Sequence, residues 1–199
     1  MTDAYRFDES STEQAIAYAK IYAGENYSPA METVLKVAFS EKRNLPTFRL
    51  KSSDTILLSG YMKKWVGAYL AGYNNRPSVR TGNCSGTHPD PMAKTILRAR
   101  IPGLENNLAD KIVAGHSLLM TIENNIGELL EEYLAVKLSP LGWYCCWGST
   151  IDAVDFCKAD GSLLQIKTSD NSENSSSSRV RQKRLGRIHS FEQKSITES

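Results

Sequence analysis

Asp155, Gln165 and Lys167 are the residues of this chain whose types and spacing suit chemistry on a phosphodiester. Asp155 sits in a short apolar run, Ala153-Val154-Asp155-Phe156, and a turn follows at Ala159-Asp160-Gly161. Ser162 to Thr168 then reads as a second strand, because Asp-Gly between two apolar runs predicts a hairpin. Side chains alternate along a strand, so Gln165 and Lys167 share one face and Leu164 and Ile166 the other. An acid on one strand is thereby set beside an amide oxygen and a lysine on its neighbour. Magnesium takes hard oxygen ligands, usually one or two carboxylates completed by water and phosphate. It lowers the pKa of bound water and offsets charge developing on the phosphate. A lysine beside it can orient the water or steady the same charge. An acid followed by Q-x-K also arises by chance, and a structural hairpin with a surface lysine would read the same way.

The flanking sequence is more specific. Leu164-Gln165-Ile166-Lys167 runs on into Asp170-Asn171-Ser172-Glu173-Asn174, a run of serines and Arg179. Upstream stand Ile122-Glu123-Asn124-Asn125-Ile126-Gly127, then Glu131, then Gly142-Trp143. Together these resemble the SinI-like type II restriction endonucleases of the PD-(D/E)xK nuclease superfamily. The resemblance is good from about Leu118 to Arg181 and loose over the first hundred residues. It implies magnesium-dependent hydrolysis of double-stranded DNA at a short palindrome such as GG(A/T)CC. It also implies a homodimer, since a two-fold dimer mirrors a palindrome, and a cognate DNA methyltransferase in the same genetic system.

The resemblance also implies roles. Asp155 would hold the metal and Lys167 would orient water or steady the phosphate. Gln165 departs from the family pattern, where most members carry Glu or Asp. An amide offers an oxygen with one charge less, so weaker metal affinity is expected. In this superfamily the first core helix often brings a glutamate to the metal, four residues after a small residue that lets the helix approach the sheet. Gly127 and Glu131 have that spacing, one helical turn, and a glycine inside a helix needs a packing reason; Glu128 and Glu123 are the next candidates. Arg179, Arg181, Asn171 and Ser175 fall to DNA contacts, with arginine able to pair two-fold with guanine. Two alternatives stay open: a repair or junction nuclease of the same fold, and an inactive fragment that only binds DNA or a protein partner.

The elements that must position these residues are legible in outline. Ser10-Ser11-Thr12 can cap a helix over 13–23 that Gly24 ends, and Pro29 can open a second over 31–40. Asp54 would cap a third over about 55–73, with Ile56, Leu57, Met62, Val66, Leu70 and Tyr73 inward and Lys63-Lys64 outward. Asn74 to Pro91 reads as a loop carrying Arg76, Arg80 and His88, within reach of DNA in principle. Its Pro89-Asp90 has no strand around it and reads as a turn before a helix around Lys94 to Leu97. Leu108 to Ala135 is strongly helical, with Ile112, Leu118, Leu119, Ile122, Ile126, Leu129, Leu130 and Tyr133 recurring at three and four. Its opposite side carries Glu123, Glu128, Glu131 and Glu132. Trp143 to Trp147 reads as the first strand. The fold class is α/β (α+β): a restriction-endonuclease-like core with an αβββ start and a mixed sheet, preceded by a helical region. The expected division is 1–103 helical scaffold, 104–181 nuclease core and 182–199 a basic, disordered tail. No β-branched run after Arg181 suggests another strand, so the chain reads as C-terminally truncated or frameshifted against the family.

Composition sets outer limits. A chain of 199 residues with 41% hydrophobic content can form a proper core. The N-terminus lacks a signal-peptide pattern and no apolar run could span a membrane, so a cytoplasmic protein is expected. The four cysteines lack C-x-x-C spacing, which favours reduced, buried thiols over a zinc site. Net charge is +2, but from Arg179 onward six basic residues face two acidic ones, a composition that a phosphate backbone would attract.

Overall fold

The computed structural model describes residues 7, 9–48, 57–80, 90, 92–168 and 188–193, the last six and residues 167–168 by their backbone alone. The described chain falls into two units. One comprises Met1–Arg76 and Glu131–Ser199, the other Pro77–Leu130.

In the first unit, helix α1 (Thr12–Ala23) ends at Gly24, whose φ of 53° suits glycine. Helix α2 (Pro29–Ser40) starts with proline at its first turn, and the Ser28 hydroxyl accepts the Met31 N–H. The proline start is the one its sequence predicts, and Ser28 adds the N-cap. Helix α3 (Leu58–Asn74) buries Tyr61, Met62, Trp65, Val66 and Tyr69. Met62 and Val66 were expected inside. The aromatic residues Tyr61, Trp65 and Tyr69 carry most of the rest of that face, while Leu57 and Tyr73, expected inside, are exposed.

The sheet has the order β1-β2-β3-β4. Strands β1 (Trp143–Cys145), β2 (Phe156–Lys158) and β3 (Leu163–Thr168) are antiparallel neighbours. The turn between β2 and β3 falls where Asp160-Gly161 predicts it. Gly161 N–H donates to Lys158 O, Ser162 N–H donates to the Asp160 carboxylate, and Gly161 has φ 85°. This is a short loop with glycine in the left-handed position. β1 and β2 are shorter than the sequence suggests because the chain leaves the sheet after Cys146 and rejoins it at Asp155. Beyond β3, a fourth strand β4 (Ile188–Gln193) pairs with it in parallel, Gln165 opposite Ser190 and Lys167 opposite Glu192. The expectation of no further strand after Arg181 is therefore corrected. Ile188-His189-Ser190-Phe191 carries one β-branched residue, and its strand state comes from pairing with β3 rather than from intrinsic preference.

One buried cluster joins α1, α2 and α3 to Cys146, Ile151, Val154, Cys157 and Leu163. The sheet and the N-terminal helices thus share a core. On the other sheet face, Cys145, Phe156 and Leu164 pack with Leu134, Ala135, Leu138 and Ile166.

The second unit contains α4 (Ala93–Arg100) and most of α5 (Asn106–Leu138). The Asp90 carboxylate accepts the Met92 N–H, so Asp90 belongs to the turn that opens α4. The apolar stripe of α5 was expected to be buried. Among the described residues it is not: Leu118 is 62% exposed and Ile126 53%. Periodicity reports which residues share a face, not whether anything covers it.

Candidate active site

The approach to Asp155 is tightly held. After Cys146 the chain turns through Gly148, Ser149 and Ala153, with φ of 68°, 55° and 54°. Two of those three are not glycine, and such backbone is costly unless its surroundings impose it. Here they do. The buried Trp65 Nε1–H donates to Thr150 O at 2.9 Å. Asp152 N–H donates to Asn44 O at 2.9 Å, and the buried Asn44 side chain donates in turn to Val37 O. A Cβ at Gly148 would stand 2.0 Å from Ala68 O, and one at Gly72 2.4 Å from Gly148 N. Helix α3 and this turn therefore meet backbone to backbone.

Asp155 then links the strands on both sides. Cys146 N–H donates to Asp155 O at 2.8 Å, and Asp155 N–H donates to Leu164 O at 3.0 Å. Its side chain accepts the Ile166 N–H at 2.6 Å on Oδ2. Phe156 is in register with Leu164, so Asp155 stands across from Gln165, the neighbouring position along β3. The carboxylate thus reaches the peptide that joins Gln165 to Ile166. Asp155 and Gln165 are both half-buried. Lys167 lies two residues farther along β3, at the backbone position opposite Glu192.

Glu131 is the helix acid whose charge acts, together with that of Asp155, on one buried thiol. Burial pushes the Cys145 thiol well above its usual range, and the Glu131 and then the Asp155 carboxylates push it further. A buried thiol at the end of β1 thus feels both acids. Cys146 is also pushed up by burial, with a hydrogen bond to Cys157 and the Asp155 charge adding to it. Cys145, Cys146 and Cys157 are free and buried, as expected; Cys84 lies outside the described residues. Glu128 is engaged elsewhere, 2.9 Å from Arg80, and Glu123 is exposed. The reason offered for Gly127 is corrected: a Cβ there would meet nothing within 4 Å. Close approach occurs instead at Gly72 and Gly148, and no motif in the sequence points to that pair.

Among the described residues there is no group of three or more His, Cys, Asp or Glu side chains able to hold a metal. Asp155, Gln165 and Glu131 carry oxygen donors of the kind magnesium takes, its shell being completed by water and phosphate. Arg179, Arg181, Asn171 and Ser175 lie outside the described residues, as does His88. Arg76 and Arg80, expected in a loop that could reach DNA, are held by partners. Arg76 Nε is 3.3 Å from Glu132, and its guanidinium lies over the Tyr73 ring at 4.0 Å. Arg80 also donates to the Asn125 side chain at 3.1 Å. His116 is exposed on α5.

Sequence comparison adds an independent line. The family profile described as SinI restriction endonuclease matches residues 52–192, a span that contains Glu131, Asp155, Gln165 and Lys167. The chain is similar to the type II restriction enzyme SinI of Salmonella infantis, 44% identical over 100 residues, which is 48% of this chain and 43% of that protein. It is equally similar to the type II restriction enzyme Eco47I of Escherichia coli, 44% identical over 100 residues with the same shares of the two chains. The chain thus spans less than half the length of these relatives.

Proposed function

The chain belongs to the SinI restriction endonuclease family, and we propose that it hydrolyses double-stranded DNA at a short palindrome such as GG(A/T)CC, as a magnesium-dependent homodimer. The observation that carries this reading is the placement of Asp155 across β3 from Gln165, with its carboxylate on the Gln165-Ile166 peptide, inside the span the family profile matches.

Asp155 and Glu131 would hold the magnesium, with Gln165 as an uncharged oxygen ligand. When bound, the metal supplies an activated water and offsets charge developing on the phosphate. The chain's own residues do the positioning. The Ile166 N–H fixes one carboxylate oxygen of Asp155. The strained turn anchored on Trp65 and Asn44 fixes the backbone that carries it. Lys167, two residues beyond Gln165, would orient the attacking water or steady the phosphate oxygen. Arg179, Arg181, Asn171 and Ser175 are proposed DNA contacts. A DNA methyltransferase in the same genetic system would protect the host's own sites. Among the described residues no helix is long and apolar enough to cross a membrane.

A plasmid digest with magnesium tests the proposal. Discrete bands that map to GG(A/T)CC, absent with EDTA, are expected. Uncut plasmid under conditions where the protein is folded would overturn it.

A further inference from the structure

We infer that an aromatic cleft in the first unit takes an unstacked nucleobase from a nucleic-acid strand, beside the candidate catalytic carboxylates. The inference rests on the nucleic-acid reading of the proposed function and names a second place where the strand is held.

The cleft has a volume of about 440 Å³ and is lined by aromatic rings from α3, β1 and the turn after β1, among them Tyr73, Trp143 and Trp147. That size falls in the range of small-molecule sites, and flat apolar walls suit a planar ring. The Arg76–Glu132 pair lines the cleft as well. It sets N–H donors beside a carboxylate acceptor, the two kinds of group that the edge of a base requires. A cationic ligand fits poorly, because the cleft's cation sites over its rings are already taken. Arg76 lies over Tyr73 at 4.0 Å, and Lys158 lies over Trp143 at 5.0 Å. Those same cations suit a base that arrives with its phosphate.

Position ties the cleft to the reaction site. Cys145 lines it and is in register across β1 and β2 with Phe156, the residue that follows Asp155. Glu132 on its wall follows Glu131 directly in α5. A strand with its phosphate at Asp155 would therefore have a neighbouring base within reach of the cleft. Extruding such a base costs stacking energy, which aromatic walls can offset.

Tryptophan emission of the 199-residue chain provides the test, since Trp143 and Trp147 line the cleft and Trp65 is fully buried. A single-stranded hexanucleotide is titrated against an abasic hexanucleotide with the same number of phosphates. The base-bearing strand should quench emission and bind about tenfold more tightly. Trp143→Ala should reduce that preference below about twofold, while Trp143→Phe, which keeps an aromatic face, should retain it. Tyr73→Ala is the second variant, at a ring 44% exposed whose loss the core tolerates, and it should weaken the preference in the same direction. Equal binding of both strands by the wild type, or an unchanged preference in both alanine variants, would overturn the inference. Binding of dAMP as tight as the hexanucleotide would overturn the assignment to a strand in favour of a free nucleotide. A chain that prefers the base-bearing strand but cuts no duplex keeps this inference and loses the endonuclease reading. One that cuts but binds both strands equally does the reverse.

Discussion

The Ile166 N–H donates to the Asp155 carboxylate at 2.6 Å, so a side chain takes a backbone donor of β3 that a neighbouring strand would otherwise bond. That bond fixes the carboxylate against the strand that also carries Gln165 and Lys167. It also makes Asp155→Asn a clean probe, because an asparagine oxygen can accept the same N–H while the charge is lost. Asp155→Asn should abolish cleavage with magnesium and leave DNA binding within about tenfold, roughly 1.4 kcal/mol. Gel-shift and plasmid assays on the same preparation measure both. Cleavage near the wild-type rate would remove Asp155 from the site.

Two glycines should respond in opposite directions to the same change. Gly148 has φ 68°, and a Cβ there would meet Ala68 O at 2.0 Å. Gly148→Ala should therefore cost about 2–4 kcal/mol, from left-handed backbone plus overpacking. Gly127 lies within α5 with open space around its Cβ position. Gly127→Ala should stabilise by up to about 1 kcal/mol through helix propensity. Urea unfolding of both variants decides the matter. A destabilised Gly127→Ala would restore a packing role for that residue.

The hairpin was legible because its signal is local. Asp160-Gly161 sets the turn, and alternation places Gln165 and Lys167 once the turn is fixed. The start of α2 at Pro29 was legible for the same reason. The turn before Asp155 was not. Ser149 and Ala153 carry no mark of positive φ, and their conformation is imposed by Trp65, Asn44 and Ala68, which are remote in sequence. The β4 pairing was missed because a parallel partner depends on a crossover rather than on its own composition. Arg76 read as part of a surface loop, since its partners Tyr73 and Glu132 come together only through packing. The exposed stripe of α5 shows the converse, a strong periodic pattern with no statement about burial attached.

Gln165 is where this chain departs from the family pattern, and charge sets the expectation. Exchange for glutamate adds a carboxylate opposite Asp155 without changing shape. Gln165→Glu should keep cleavage, with half-maximal activity at a lower magnesium concentration, because a carboxylate is the stronger ligand for a hard cation. Activity measured across a magnesium series reads this directly. A folded Gln165→Glu protein with no activity at any magnesium concentration would instead give the amide N–H a role of its own, such as holding the strand.

The Cys145 thiol offers a test of the site that needs no DNA. Burial raises its pKa most, and the Glu131 and Asp155 carboxylates add to the shift. Glu131→Gln and Asp155→Asn should each lower it and speed alkylation of Cys145 at mildly alkaline pH, since the thiolate is the reactive form. Glu128→Gln should not, because that carboxylate pairs with Arg80. The same shift fixes the sign of the pH dependence of stability. The folded thiol holds its proton more tightly than the unfolded one, whose pKa is about 8.5. Its contribution is therefore complete below that pH and declines as pH rises above it, where the unfolded chain has released the proton and the folded chain has not. Urea melts between neutral and alkaline pH should show stability falling, less steeply in Cys145→Ser. Mass-spectrometric alkylation rates for the three carboxylate variants complete the test. Equal rates for Glu131→Gln, Asp155→Asn and Glu128→Gln would separate Glu131 from Asp155 and leave the metal with a single proposed carboxylate.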